Sequence, residues 1–165
     1  MKPKPPRNRR GLVTRESLAF IVTHLRPRDR EEIFALRWDD NEETFIDEMM
    51  ALCGAMTWIW ERDGVPVSVQ GAVCSRPHVW EVFAFGTACW PRVVLDMTRH
   101  VKRFMIPALL RVGAHRVECR ALLSHTDSRK WLTALGAKEA AILQRFGRNA
   151  ETYVSYVWGP SDVSS

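Results

Sequence analysis

No run of eighteen apolar residues occurs in the sequence, so no segment has the length that a helix needs to cross a bilayer. The start, MKPKPPRNRRG, is charged and proline-rich with no apolar run behind it, which argues against a secretory signal and for a cytoplasmic protein without membrane contact. The four cysteines, Cys53, Cys74, Cys89 and Cys119, lack CxxC spacing. Each sits in an apolar run, so buried thiols fit better than a disulfide frame, and no metal centre is expected. A Walker loop, a serine–histidine–acid set and internal repeats are absent as well. What remains is a chain of 165 residues, one domain that can bury a core without disulfides or metal.

Acids are missing from the first ten residues, where Lys2, Lys4, Arg7, Arg9 and Arg10 supply five positive charges, the whole of the formal net charge of +5. The body is therefore neutral, but polarised. Residues 26–63 hold 5 basic and 11 acidic side chains, whereas residues 92–148 hold 12 and 4. One half would attract a cationic group and the other an anionic one. Residues 1–15 read as a flexible basic arm that can touch nucleic acid or another acidic partner by charge. Residues 16–160 read as the folded domain and residues 161–165 as a tail.

The stretch from His78 to Gly113 organises the rest. Residues 79–86 are β-branched and aromatic; Val93, Val94, Met97, Val101, Phe104, Met105, Ala108, Leu109 and Val112 then recur at helical spacing, with Pro91 suited to the first turn and Pro107 expected to kink the helix. Before it, Leu18 to Val22 reads as a first strand and LRPRDREEIFAL as a short helix. DDNEETFIDEMMALCG forms a second helix, capped by Asn41 and stopped by Gly54. Two strands follow, AMTWIWE and VPVSVQGAVCS, joined by a turn at Arg62, Asp63 and Gly64, with a bulge expected at Gly71. After the long helix come a strand (HRVECRALL), a helix (SHTDSRKWLTALG) with Trp131, Leu132 and Leu135 inward, and two closing strands, AKEAAILQRFG and ETYVSYVWG. The implied class is α/β (α+β).

With LRPRDREEI, ERDGVPVSVQGAV, EVFAFGT and SHTDSRKWLTALGAKEAAILQRFG on it, this order resembles the GCN5-related N-acetyltransferase (GNAT) fold. More narrowly, RPRDREEI, the spacing from His125 to Trp131 and the closing YVSYVWG are similar to the GNAT-like internal virion proteins of T7-like podophages. The resemblance implies a mixed, mostly antiparallel sheet of six to seven strands, flanked by about four helices, with splayed central strands. It implies transfer of an acetyl or acyl group from acetyl-CoA to an amine, in host cytoplasm if phage-encoded. The acidic helices on the acceptor side then favour a cationic amine or a lysine side chain. The rival expectation is a non-catalytic phage protein that keeps the fold and contacts other virion or host proteins, with a place in the virion.

Carried onto this sequence, the resemblance puts the pantetheine arm of acetyl-CoA against the backbone of Phe85, Gly86 and Thr87, and the pyrophosphate at the helix start around Trp90, Arg92 and Val93. The loop TACWPRVV has no glycine where the family has glycines, so Arg92 must compensate by charge. Leu132 stands where the family places a tyrosine acid, and His125 where it has an asparagine. The candidate catalytic groups are Glu81 as base and His125 as acid, base or ligand of the pantetheine arm, with capping of the next helix as the plainer role of His125.

Overall fold

Four residues of the expected arm open the sheet. In the computed structural model, which describes residues 7–159, β1 (Asn8–Gly11) pairs antiparallel with β2 (Thr57–Arg62), Arg10 lying opposite Trp60. The strand carries no apolar alternation because it is an exposed edge; its side chains hold it instead. The Arg10 guanidinium lies 5.6 Å from the centre of the Trp58 ring and 5.7 Å from that of Phe104, and Asn8 donates to the Arg92 carbonyl oxygen at 3.0 Å and to Asp96 Oδ2 at 2.6 Å. The expected flexible arm is thus corrected at residues 8–11. Residues 1–6 and the expected tail at 161–165 lie outside the described residues. Deleting residues 1–10 should lower the melting temperature by about 5 °C, since an edge strand and its cation–π contacts contribute on the order of 1–2 kcal/mol. A differential scanning calorimetry trace unchanged by the deletion would contradict the strand.

The expected strand from Leu18 to Val22 is a helix, α1 (Arg15–Thr23). A five-residue apolar run suits either state. Thr14 decides for the helix through a capping box: its hydroxyl accepts from the Ser17 amide while Ser17 Oγ accepts from the Thr14 amide. Leu18, Ile21 and Val22 then fall on one face and are fully buried. Next are α2 (Pro27–Phe34) and α3 (Glu42–Leu52), the latter capped by Asn41 through the Thr44 amide. Asp63 and Gly64, both at positive φ, turn β2 into β3 (Val65–Arg76), which pairs with β4 (Val79–Gly86). Gly71 makes no bulge. The register shifts at Trp60/Glu61 and at Cys74/Arg76, while Gly71 allows close approach: a Cβ there would stand 2.8 Å from Phe83 Cζ.

The long helix begins as a 3₁₀ turn at Trp90–Arg92 and continues as α4 (Val94–His100), a π-helical turn (Val101–Met105) and α5 (Ile106–Arg111). Pro107 cannot donate to the preceding turn, and the expected irregularity takes the form of this π turn, in which the Ile106 amide reaches back to the Val101 carbonyl. After β5 (Arg116–Leu122) come α6 (Thr126–Ala134), β6 (Lys138–Leu143) and β7 (Tyr153–Trp158). The seven strands run in the order β1-β2-β3-β4-β5-β7-β6, and only the β4–β5 pair is parallel. α1 to α3 cover one face over Ile59, Val69 and Phe85; α4 to α6 cover the other over Val117, Val154 and Trp158. Among the described residues no helix is long and apolar enough to cross a membrane.

Candidate active site

The parallel pair holds for only three residues a side. Val79, Trp80 and Glu81 lie opposite Arg116, Val117 and Glu118, and beyond them β4 and β5 part. The Thr87 amide donates to the Val67 carbonyl at 2.8 Å, so by alternation the backbones of Phe83 and Phe85 also turn toward β3, while those of Val82, Ala84 and Gly86 face the gap. Gly86 is engaged: its amide donates to Asp29 Oδ2 at 2.8 Å and its carbonyl accepts from the Arg26 amide at 2.9 Å. Val82 and Ala84 remain as an edge with no strand beside it among the described residues. They border a cleft of about 240 Å³ whose wall includes Gln70, Met105, Trp131, Glu81 and Glu32.

Glu32 is the residue that sequence reasoning missed. It sits on α2 with Oε2 accepting the Leu122 amide at 2.6 Å, and its backbone carbonyl accepts the Tyr153 hydroxyl at 2.6 Å. Burial pushes its carboxyl up to about 7, against the smaller opposing effect of the Leu122 hydrogen bond. A usable signal was present: Asp29, Glu32 and Ile33 are spaced to share one face of the helix, so two acids fall beside an apolar residue on that face. Glu81, the expected base, also lines the cleft, but it pairs with Arg120 at 3.0 Å and stays about a third exposed.

His125 is not in the cleft. Its Nδ1 accepts from the Ser128 amide at 3.5 Å, capping α6, which leaves the proton on Nε2 to be donated to Asp29 Oδ1 at 2.9 Å. Both ring nitrogens are in use, so His125 takes the capping role that the sequence also allowed, and it stands as a strut rather than as an acid, base or pantetheine ligand. Asp29 is its counterpart, only 3% exposed, and is forked by Arg26 through Nε at 3.0 Å and Nη2 at 2.7 Å. Burial alone would raise the Asp29 pKa, but the His125 hydrogen bond and Arg26 outweigh it and hold the carboxyl below its usual value. One carboxylate thereby ties α2 to β4 and to the start of α6, across the mouth of the gap.

The TACWPRVV turn spends most of its amides within the fold, the Ala88 amide having no partner among the described residues. Cys89 donates to Thr87 Oγ1, Trp90 to the Thr87 carbonyl, Arg92 to the Cys89 carbonyl and Val93 to the Trp90 carbonyl, at 2.9–3.2 Å, and Pro91 has no amide to give. Trp90 and Val93 are core residues, and Phe85 packs its ring 5.5 Å from that of Phe45. Trp90 meets Trp131 edge to face at 5.1 Å and carries the Arg26 guanidinium 4.3 Å above its ring, while Trp131 Nε1 donates to Thr98 Oγ1 at 2.8 Å. These contacts join α6 to α4. Of the expected phosphate ligands only the Arg92 side chain is exposed, beside a second hollow of about 510 Å³ shared with Phe20, His24 and Cys89. The structure brings Glu81, Glu32 and Phe85 to one cleft and leaves Gly86 and Arg92 out of its wall.

Comparison with solved structures defines the class of protein: the chain has the GNAT fold. YncA from Salmonella typhimurium, solved with its cofactor acetyl-CoA, superposes with a TM-score of 0.68 at 12% identity over 96% of this chain and 95% of its own. Ard1 from Thermoplasma volcanium gives 0.70 at 6% identity, with 92% and 97% covered, and the ribosomal-protein-alanine N-acetyltransferase from Brucella melitensis gives 0.63 at 12%, with 91% and 98% covered. No protein family profile and no curated sequence matches the chain.

Proposed function

We propose that the protein is an N-acyltransferase that moves an acyl group from acetyl-CoA to an amine, with Glu32 as the base. The observation that carries this reading is the open edge of Val82 and Ala84 beside a cleft that holds a carboxylate with a pKa of about 7. The edge offers main-chain partners to the amides of a pantetheine arm, as a third strand would. Acetyl-CoA supplies an acyl carbon activated by its thioester. As the amine nitrogen bonds to that carbon, the carbon–sulfur bond breaks, the CoA thiol leaves with a proton from solvent, and Glu32 takes the proton shed by nitrogen. Glu32 is ionised above about pH 7, which suits a base at neutral pH.

The pyrophosphate end fits less well, because the turn offers few free amides. Arg92 must carry that interaction, and Arg92→Ala should weaken acetyl-CoA binding by about 1.5–3 kcal/mol, measured by calorimetry. The scarcity of free amides in the turn also favours a second reading, the non-catalytic GNAT-fold phage protein implied by the podophage resemblance. Calorimetric titration with acetyl-CoA, followed by assay of CoA release with a panel of amines, separates the two. Absence of binding at millimolar acetyl-CoA would eliminate the enzyme.

A further inference from the structure

We propose that the acceptor is a small amine bearing a carboxylate and an aromatic ring, as an aromatic α-amino acid does, and that it docks between the α2–α3 loop and the β6–β7 loop; the inference rests on the acyl-transfer reading. A groove of about 430 Å³ lies there, lined by Leu36, Arg37, Trp38, Arg120, Phe146 and Arg148. That volume suits a small ligand rather than a macromolecular surface. Leu36 and Arg120 line the cleft as well, so the groove opens toward Glu32, which precedes Leu36 by about one helical turn.

The charge of this groove is the reverse of what the acid-rich segment implies. Most carboxylates of α3 and of the α2–α3 loop are held by arginines: Glu42 by Arg30, Glu43 and Asp47 by Arg15, Glu48 by Arg37 and Asp40 by Arg148. No acid lines the groove, and three guanidiniums do. Arg120 and Arg148 each give one Nη to an acid, Glu81 and Asp40, and their other N–H groups have no partner among the described residues. Arg37 Nε is buried without a partner. The Arg148–Asp40 pair is exposed enough to exchange partners at little cost, so an incoming carboxylate can take its place. A lysine side chain or polyamine would find no free carboxylate in the groove wall, since Glu48, Glu81 and Asp40 are already paired with Arg37, Arg120 and Arg148.

The aromatic part follows from Trp38, which is 101% exposed, and from Phe146 and Leu36, which are 41% and 45% exposed at the same groove. An indole standing wholly in water beside a cleft buries nothing in the free protein and stands ready to cover a planar group. With the carboxylate on Arg120 and Arg148, the α-amino group one carbon away is turned toward the cleft. Its nitrogen bonds to the acyl carbon, the carbon–sulfur bond breaks, CoA leaves as its thiol with a proton from solvent, and the nitrogen proton goes to Glu32.

The test uses the full chain. Calorimetric titration with N-acetyl-L-phenylalanine and with its amide reads the groove without CoA, and a separate titration with acetyl-CoA reads the donor site. CoA release is then compared for L-phenylalanine, L-phenylalaninamide and spermidine. The acid should bind about tenfold or more tightly than the amide, the usual worth of a hydrogen bond to a charged group. Arg148→Gln should bring that ratio near one, and Trp38→Ala should weaken acid and amide alike, each with a wild-type melting temperature. An amide or spermidine that binds and reacts as well as the acid, or a ratio unmoved by Arg148→Gln, overturns the inference; should Arg148→Gln fail to fold, undiminished binding by Trp38→Ala overturns it. Discrimination without acetyl-CoA binding would sink the acyl-transfer reading and keep the ligand class. Acetyl-CoA binding without discrimination would do the reverse.

Discussion

Asp29→Ala is expected to lower the melting temperature by about 10 °C at neutral pH. The side chain is 3% exposed and receives hydrogen bonds from Arg26, His125 and the Gly86 amide. Truncation strands all three donors in a place that water reaches poorly, and removing one partner of a buried charge pair costs about 3–5 kcal/mol. For a chain of this size each kcal/mol moves the midpoint by about 2–4 °C. The effect depends on pH in a definite direction. Because the folded state holds the Asp29 pKa below its unfolded value, the carboxylate contributes its full stability above about pH 4 and loses it as pH falls through the folded pKa. Thermal midpoints of wild type and variant, measured by circular dichroism, should therefore converge in acid. Equal midpoints at pH 7 would show that Asp29 does not brace β4 against the start of α6.

Glu32→Gln should do two opposite things. Removing the base should slow acyl transfer about 100-fold or more, and the wild-type rise in rate through about pH 7 should vanish with it. Stability should increase. The unfolded chain releases the Glu32 proton near 4.5 and the folded chain near 7, so between those values the folded state binds more protons and its stability falls as pH rises. Above pH 7 the wild type carries an unfavourable buried charge that glutamine, which can still accept from the Leu122 amide, does not. The gain, reduced for partial exposure, is about 2 kcal/mol at pH 8, with none expected at pH 4. Loss of rate together with a higher melting temperature cannot be explained by unfolding. Glu81→Gln is the control, because Arg120 already holds that carboxylate; if it slows the reaction as much as Glu32→Gln does, the base has been misassigned.

The sequence by itself determined the elements whose signals are local. Asp63 and Gly64 mark the turn between β2 and β3, Asn41 caps α3, the period changes from two to 3.6 after Gly86, and Pro107 interrupts the long helix. From these a mixed α/β arrangement was legible, while the parting strands were implied only by the resemblance to the GNAT fold. Tertiary structure alone decided the rest, because burial and charge pairing join residues that are distant in the chain. Leu18 to Val22 suits strand or helix until Thr14 caps it and a face is buried. Asn8 to Gly11 looks like solvated arm until Trp58, Phe104 and Asp96 receive it. His125 could have been a catalyst; Asp29, 96 residues earlier, makes it a strut. Glu32 is one acid among many until burial beside β5 raises its proton affinity, and Asp40, Glu43 and Asp47 are open acids until Arg148 and Arg15 reach them from outside the acid-rich segment. Those properties depend on the dielectric and on neighbours that folding supplies.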